Sequence, residues 1–175
     1  MRGTNKQTLL QTSLQEFYQT NNPSFVQLCD IITGNGEISL RLLDWFVTNY
    51  SKKNRVAYVA PASEDSPTQI YVYACYRLQL KAYSKKYFDP FCRRDRINFV
   101  CNGVTLNTTI GQLNFFRWAL QNEVVDYCVS HKDQIEVDMF DTVNQSHESK
   151  RSELSSDSTT KGLNVMKTEI TISFN

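Results

Sequence analysis

No apolar run in this 175-residue chain exceeds a few residues, whereas a membrane-spanning helix needs roughly 20, so no transmembrane span is expected. The opening residues, MRGTNKQTLLQTSLQEF, have a basic start but no continuous apolar stretch and no small-residue cleavage site. They do not read as a secretory signal. Histidine is scarce, with His131 and His147 the two copies. Cysteine–histidine catalysis, which needs an imidazole to activate a thiol, therefore rests on Cys128 beside His131, a pattern that equally describes a buried thiol near a helix end. The five cysteines (Cys29, Cys75, Cys92, Cys101, Cys128) contain no Cys-x-x-Cys pair. A zinc site would require Cys92, Cys101, Cys128 and His131 to converge from separate elements without the usual spacing. Reduced, mostly buried thiols are the expectation. Gly34-Asn35-Gly36 lacks the further glycines and the Lys-Ser/Thr of a phosphate-cradling loop and reads as a helix stop. Glu64-Asp65 and the carboxylates after Asp133 sit in polar stretches as solvated charge, and no repeat of useful length occurs. No cofactor and no enzymatic role are expected; a nucleophile at Cys92 or Cys128 is the remaining enzymatic alternative.

Aromatic residues are plentiful, with 9 Tyr and 10 Phe, and suit small cores and interfaces alike. The length fits one domain with room for a tail. Net charge is +1 but unevenly placed: residues 1–121 hold 14 Lys/Arg against 8 Asp/Glu, and residues 122–175 hold 5 against 10. That asymmetry points to a polyanionic partner for the first part, or to head-to-tail contact between copies.

Apolar spacing predicts a helix over 7–18, then a second over 23–33 with Asn22 as cap and Pro23 at its first position. A third helix follows over ISLRLLDWFVTNYSKKN, with Ser39 as cap and Lys52, Lys53 and Arg55 at its cation-favouring end. VAYVA reads as a short extended piece. Residues 69–88 are ambiguous: IYVYACYRL alternates like a strand, while Tyr76, Leu80, Tyr83 and Tyr87 recur at helical spacing, and the longer helical pattern is favoured. Asp89-Pro90 breaks that helix, and RINFVCNGV reads as a strand entering an Asn-Gly turn. A helix capped by Thr109 follows, breaks near Asn122, and gives way to another through Cys128. The fold class expected is mainly α with a small β component (α+β): a helical domain over 5–140, a flexible Ser/Thr-rich linker over 141–163, and a strand-forming tail over 164–175.

The segment 77–96 carries Arg77, Lys81, Lys85, Lys86, Arg93, Arg94 and Arg96 against Asp89 and Asp95, interleaved with Tyr83, Tyr87, Phe88 and Phe91. Cations neutralise phosphates and aromatic rings stack on bases, which suits nucleic acid. Arg with Tyr and Phe equally suits a protein interface. A solvated helix face with inward-pointing aromatics is the third reading. The candidate interaction surface is Arg77, Lys81, Lys85, Lys86, Phe91, Arg93, Arg94 and Arg96.

Three runs, LRLLDWFVTNYSKKN (40–54), LKAYSKKYFDPFCRRDRI (80–97) and TTIGQLNFFRWALQN (108–122), together resemble a short protein of the nucleocytoplasmic large DNA viruses, of iridovirus, chlorovirus and mimivirus type. The resemblance covers the middle half of the chain. It implies a non-enzymatic virion protein, a minor capsid or cementing component that binds other structural proteins of the capsid lattice and forms in the host cytoplasm. It supplies no catalytic residues. A nucleic-acid-binding protein of the viral nucleoid or transcription apparatus is the alternative, and a homo-oligomer is compatible with either.

Overall fold

A computed structural model describes residues 2–60 and 68–156, with side chains over 6–60 and 68–145. The order is α1 (Arg2–Thr20), α2 (Asn22–Thr33), α3 (Leu40–Trp45), a π-helical turn (Phe46–Tyr50), α4 (Ser51–Lys53), β1 (Ala57–Ala60), β2 (Thr68–Tyr71), α5 (Val72–Tyr87), β3 (Ile97–Cys101), β4 (Val104–Thr108), α6 (Ile110–Gln121), α7 (Val124–Ser130) and α8 (Lys132–Ser156). The fold is mainly α with a small β component, as expected from the sequence.

Two separate antiparallel hairpins hold the β structure among the described residues. In one, Ala57 lies opposite Tyr71 and Ala60 opposite Thr68. In the other, Ile97 lies opposite Thr108 and Cys101 opposite Val104. Asn102 (φ 49°) and Gly103 (φ 79°) form the turn between β3 and β4. Both have positive φ, the geometry that matches the twist of a two-residue hairpin and that Asn-Gly adopts most cheaply.

The core is built on α6. Leu113, Phe115, Phe116 and Ala119 are fully buried, and Trp118 nearly so. Two aromatic clusters pack around it. Tyr18 meets Phe25 and Phe99 edge-on or tilted, and its hydroxyl donates to the Leu113 carbonyl at 2.8 Å. Phe88 meets Tyr76, Phe115 and Trp118 with ring centroids 5.3–6.0 Å apart. Such edge contacts add about 0.5–1.5 kcal/mol per pair beyond area burial, which lets a chain of this size fix one packing.

Several local expectations are met by the expected mechanism. Ser39 Oγ accepts from the Leu42 amide at 3.1 Å and Thr109 Oγ1 from Gln112 at 3.1 Å. Gly34 closes α2 in the left-handed region at φ 81°. Others change. The cap of α2 is Asn21 rather than Asn22, without a side-chain bond. Residues 69–88 are both strand and helix: β2 pairs with β1 through Tyr71, and α5 begins at the next residue. The sequence up to Asp141 leads into a segment expected as a linker, yet α8 runs unbroken to Ser156. Extending a formed helix adds one hydrogen bond per residue without a new nucleus, so Glu-, Lys- and Gln-containing sequence can remain helical without an apolar face. The linker beyond 156 and the tail over 164–175 lie outside the described residues.

The chain divides into a unit of Met1–Met139, which holds this core, and a second of Phe140–Asn175. Within the first, Trp45 Nε1 donates to Asp138 Oδ2 at 3.0 Å and Lys53 pairs with the same carboxylate, tying the start of α8 to α3 and α4.

Candidate functional site

The basic, aromatic-rich segment separates into two faces once it is folded. On α5, Tyr76 is buried, and Leu80, Tyr83 and Tyr87 are half-buried against the core. Arg77, Leu78, Lys81 and Lys85 are exposed on the other side. With Ala74 and Leu80 they line a shallow depression of about 690 Å³. Leu78 is 65% exposed, a large aliphatic side chain set among three cations. Arg77, Lys81 and Lys85 make no hydrogen bond or ion pair among the described residues. The stripe is not one straight helix face, because Ser84 (φ 58°, ψ 169°) interrupts the helical backbone just before Lys85.

The other candidate residues, Arg94 apart, have partners within the chain. Lys86 lies 5.3 Å from the Tyr87 ring centroid. Arg96 donates to Asn107 Oδ1 at 3.2 Å. Arg93 lies over the Phe91 ring at 4.8 Å and grips Asp89 with Nε (3.0 Å) and Nη2 (2.8 Å). Arg94 is exposed. Thus Arg77, Lys81 and Lys85 share one surface, while Phe91, Arg93 and Arg96 belong to the turn and hairpin that follow.

That turn is held from below by α6. Asp89, 6% exposed, also accepts from the Phe91 amide at 3.2 Å. The Asp89 amide donates to the Gly111 carbonyl at 3.2 Å, and Gln112 Nε2 to the Pro90 carbonyl at 2.8 Å. Gln112 is itself held by Thr108 Oγ1 at 2.8 Å, and Asn114 Nδ2 reaches the Tyr87 carbonyl at 2.8 Å. Gly111 allows the close approach, since a Cβ there would stand 3.0 Å from the Lys86 carbonyl oxygen. Buried polar side chains must be satisfied, and here they are satisfied by fixing a loop. Burial pushes the Asp44 carboxyl up, with the Arg93 guanidinium opposing that shift and the Asp89 charge adding to it. The bond to Asp89 raises Arg93 further.

A second concavity of about 550 Å³ lies where α1 faces α5 and α6. Arg117 sits in it, donating to Ser13 Oγ at 3.0 Å and Asn114 Oδ1 at 2.8 Å. Glu16 lines the same groove, so both signs of charge are present.

Of the five cysteines, Cys101 and Cys128 are buried, and Cys29, Cys75 and Cys92 are partly exposed. Cys128 is fully buried and its thiol is pushed up to about 12 by desolvation, with the Glu136 charge adding to it. Burial also raises Cys101. His131 stacks on Tyr127 with centroids 4.0 Å apart, and its Nδ1 lies 3.0 Å from the Tyr127 carbonyl. No three His, Cys, Asp or Glu side chains converge as a metal site among the described residues.

Comparison with known proteins places the chain. A family model described as "Family of unknown function (DUF7197)" matches residues 2–172. The chain belongs to this family. It is similar to "Uncharacterized protein L507" of Acanthamoeba polyphaga mimivirus, 38% identical over 143 residues, which are 78% of this chain and 55% of the relative. The chain therefore spans about half the length of the curated relative it matches. No solved structure matches it. The mimivirus similarity supports an origin in a giant virus.

The three runs that resemble large-virus proteins meet around one turn. Asp44 comes from the first, Asp89 and Arg93 from the second, and Gly111, Gln112 and Asn114 from the third. Sequence reading missed the role of Gly111, Gln112, Asn114 and Arg117. The available signal was two polar residues, Gln112 and Asn114, inside an otherwise largely apolar stretch of helix.

Proposed function

We propose that this family member is a non-enzymatic structural protein of a large DNA virus, a minor capsid or cementing component of the virion assembled in the host cytoplasm. Its contact surface is the outer face of α5. The observation that carries the reading is Leu78, 65% exposed between Arg77, Lys81 and Lys85, none of them ion-paired among the described residues. An exposed aliphatic side chain ringed by long cations suits a protein neighbour with acidic and apolar side chains. Nucleic-acid binding by stacking finds less support. Tyr83 and Tyr87 pack partly against the core and Phe88 is 1% exposed, so three of the four rings of the segment are engaged in packing, and Phe91 has Arg93 over its face.

The two readings separate in a mobility-shift experiment with duplex DNA. At about 50 mM salt, where phosphate contacts are strongest, no shift at micromolar protein is expected. A salt-sensitive shift lost in an Arg77→Glu/Lys81→Glu/Lys85→Glu variant would move the assignment to nucleic acid.

A further inference from the structure

The groove where α1 faces α5 and α6 is longer than its larger concavity alone. A second concavity, of about 260 Å³, adjoins the one of about 550 Å³, and Ser13, Tyr83 and Arg117 line both. Helical spacing builds the cleft. Gln79 and Tyr83 on α5, and Asn114, Arg117 and Gln121 on α6, recur at three- or four-residue steps, so each helix turns one face to it.

Arg117 is the cation at the junction, and its partners are neutral. Nη1 donates to Ser13 Oγ and Nη2 to Asn114 Oδ1, while Asn114 is itself fixed by its bond to the Tyr87 carbonyl. The guanidinium fork carries more N–H donors than these bonds use, and no carboxylate pairs with it among the described residues. Charge is sorted along the cleft. Lys6 lines the smaller concavity and Glu16 the larger, with Arg117 between them. The larger concavity also presents the Gln79 and Gln121 side chains, which make no hydrogen bond among the described residues, beside the Phe17 and Trp118 rings.

We infer that this cleft binds a phosphate monoester of a polar ring compound, of the class of a nucleoside monophosphate. The phosphate sits on Arg117 toward Lys6, and the ring lies among Gln79, Gln121 and Trp118. A phosphate monoester carries a charge of about −1.5 to −2 at pH 7, which Arg117 and Lys6 together match and a single carboxylate would not. A pre-oriented guanidinium takes phosphate oxygens in parallel pairs. Side-chain amides both donate and accept, as the edge of a heterocycle requires, and an aromatic wall suits its flat face. The site is independent of the outer face of α5, since the cleft shares no lining residue with the depression around Leu78.

Titration of the full chain with AMP, GMP, CMP and UMP at about 50 mM salt tests this, read by calorimetry and by NMR of the tryptophan indoles. At least one should bind with a Kd of about 1 mM or tighter, shifting the Trp118 signal and leaving that of Trp45 in place. Inorganic phosphate should bind about tenfold more weakly, and Arg117→Gln should weaken the nucleotide by about tenfold or more. Gln79→Ala/Gln121→Ala removes no hydrogen bond of the fold, so it should weaken the nucleotide about threefold or more and leave phosphate binding unchanged. Absence of binding by all of these nucleotides up to about 10 mM overturns the assignment. So does inorganic phosphate binding as tightly as the nucleotide, or nucleotide binding that survives either variant.

Discussion

Asp44 and Asp89 lie close enough to Arg93 for their charges to be felt, yet they are treated differently by their surroundings. Asp89 is paired twice to Arg93 and once to a backbone amide, and it organises the turn after α5. Asp44 is partly desolvated, and its carboxyl is raised above the ordinary 3.8. A raised carboxyl means the folded state holds its proton more tightly than the unfolded chain. Stability from this group is therefore fully present below pH 3.8 and falls as pH rises through the folded-state value. Asp44→Asn removes the titration. Its stability should match the wild type near pH 3 and exceed it at pH 7, by under about 1 kcal/mol because solvent screens a half-exposed group. Paired thermal melts across that range check it. A variant less stable than wild type at pH 7 would show that the Arg93 attraction outweighs burial.

At the scale of elements, α5 carries the strain. Ser84 has φ 58° and ψ 169°, a region that is essentially glycine's alone and costs other residues about 1–3 kcal/mol. Its hydroxyl accepts from the Lys86 amide at 3.4 Å, a weak return for that cost. Ser84→Gly should therefore raise the melting temperature by a few degrees, the size expected of about 1 kcal/mol in a chain of this length, as scanning calorimetry would show. The kink was not legible in the sequence because helical spacing of Tyr83 and Tyr87 continues across it. What was legible depended on local chemistry: Ser39 and Thr109 as caps, Gly34 as a stop, Asn102-Gly103 as a turn. The strand β4 was not anticipated, since VTLNT alternates over only two apolar residues, Val104 and Leu106, and is defined by its pairing with β3. The segment after Asp141 reads as a linker for a related reason, as composition measures the ability to form a core and not the ability to extend a helix. Of the candidate residues, Arg77, Lys81 and Lys85 share a face that their spacing alone foretold. The engagement of Arg93 with Asp89 needed the loop in three dimensions.

At the scale of the whole molecule, buried polar side chains of α6 fix the turn after α5, and Arg77, Lys81 and Lys85 of α5 point outward without a hydrogen bond or ion pair among the described residues. The polar groups of α6 hold one helix and its following turn in place, while an aliphatic side chain and three cations stay exposed there. On the proposed reading, a virion lattice supplies the neighbour for that face. Cross-linking mass spectrometry of purified particles of the encoding virus, using an amine-reactive reagent, addresses this most directly. The chain should be present in particles, and Lys81 and Lys85 should cross-link to a protein neighbour, with the links lost on dissociating the particles in high salt. Absence of the chain from the particle, or particles in which Lys81 and Lys85 react only as free amines, would contradict a structural role for the α5 face.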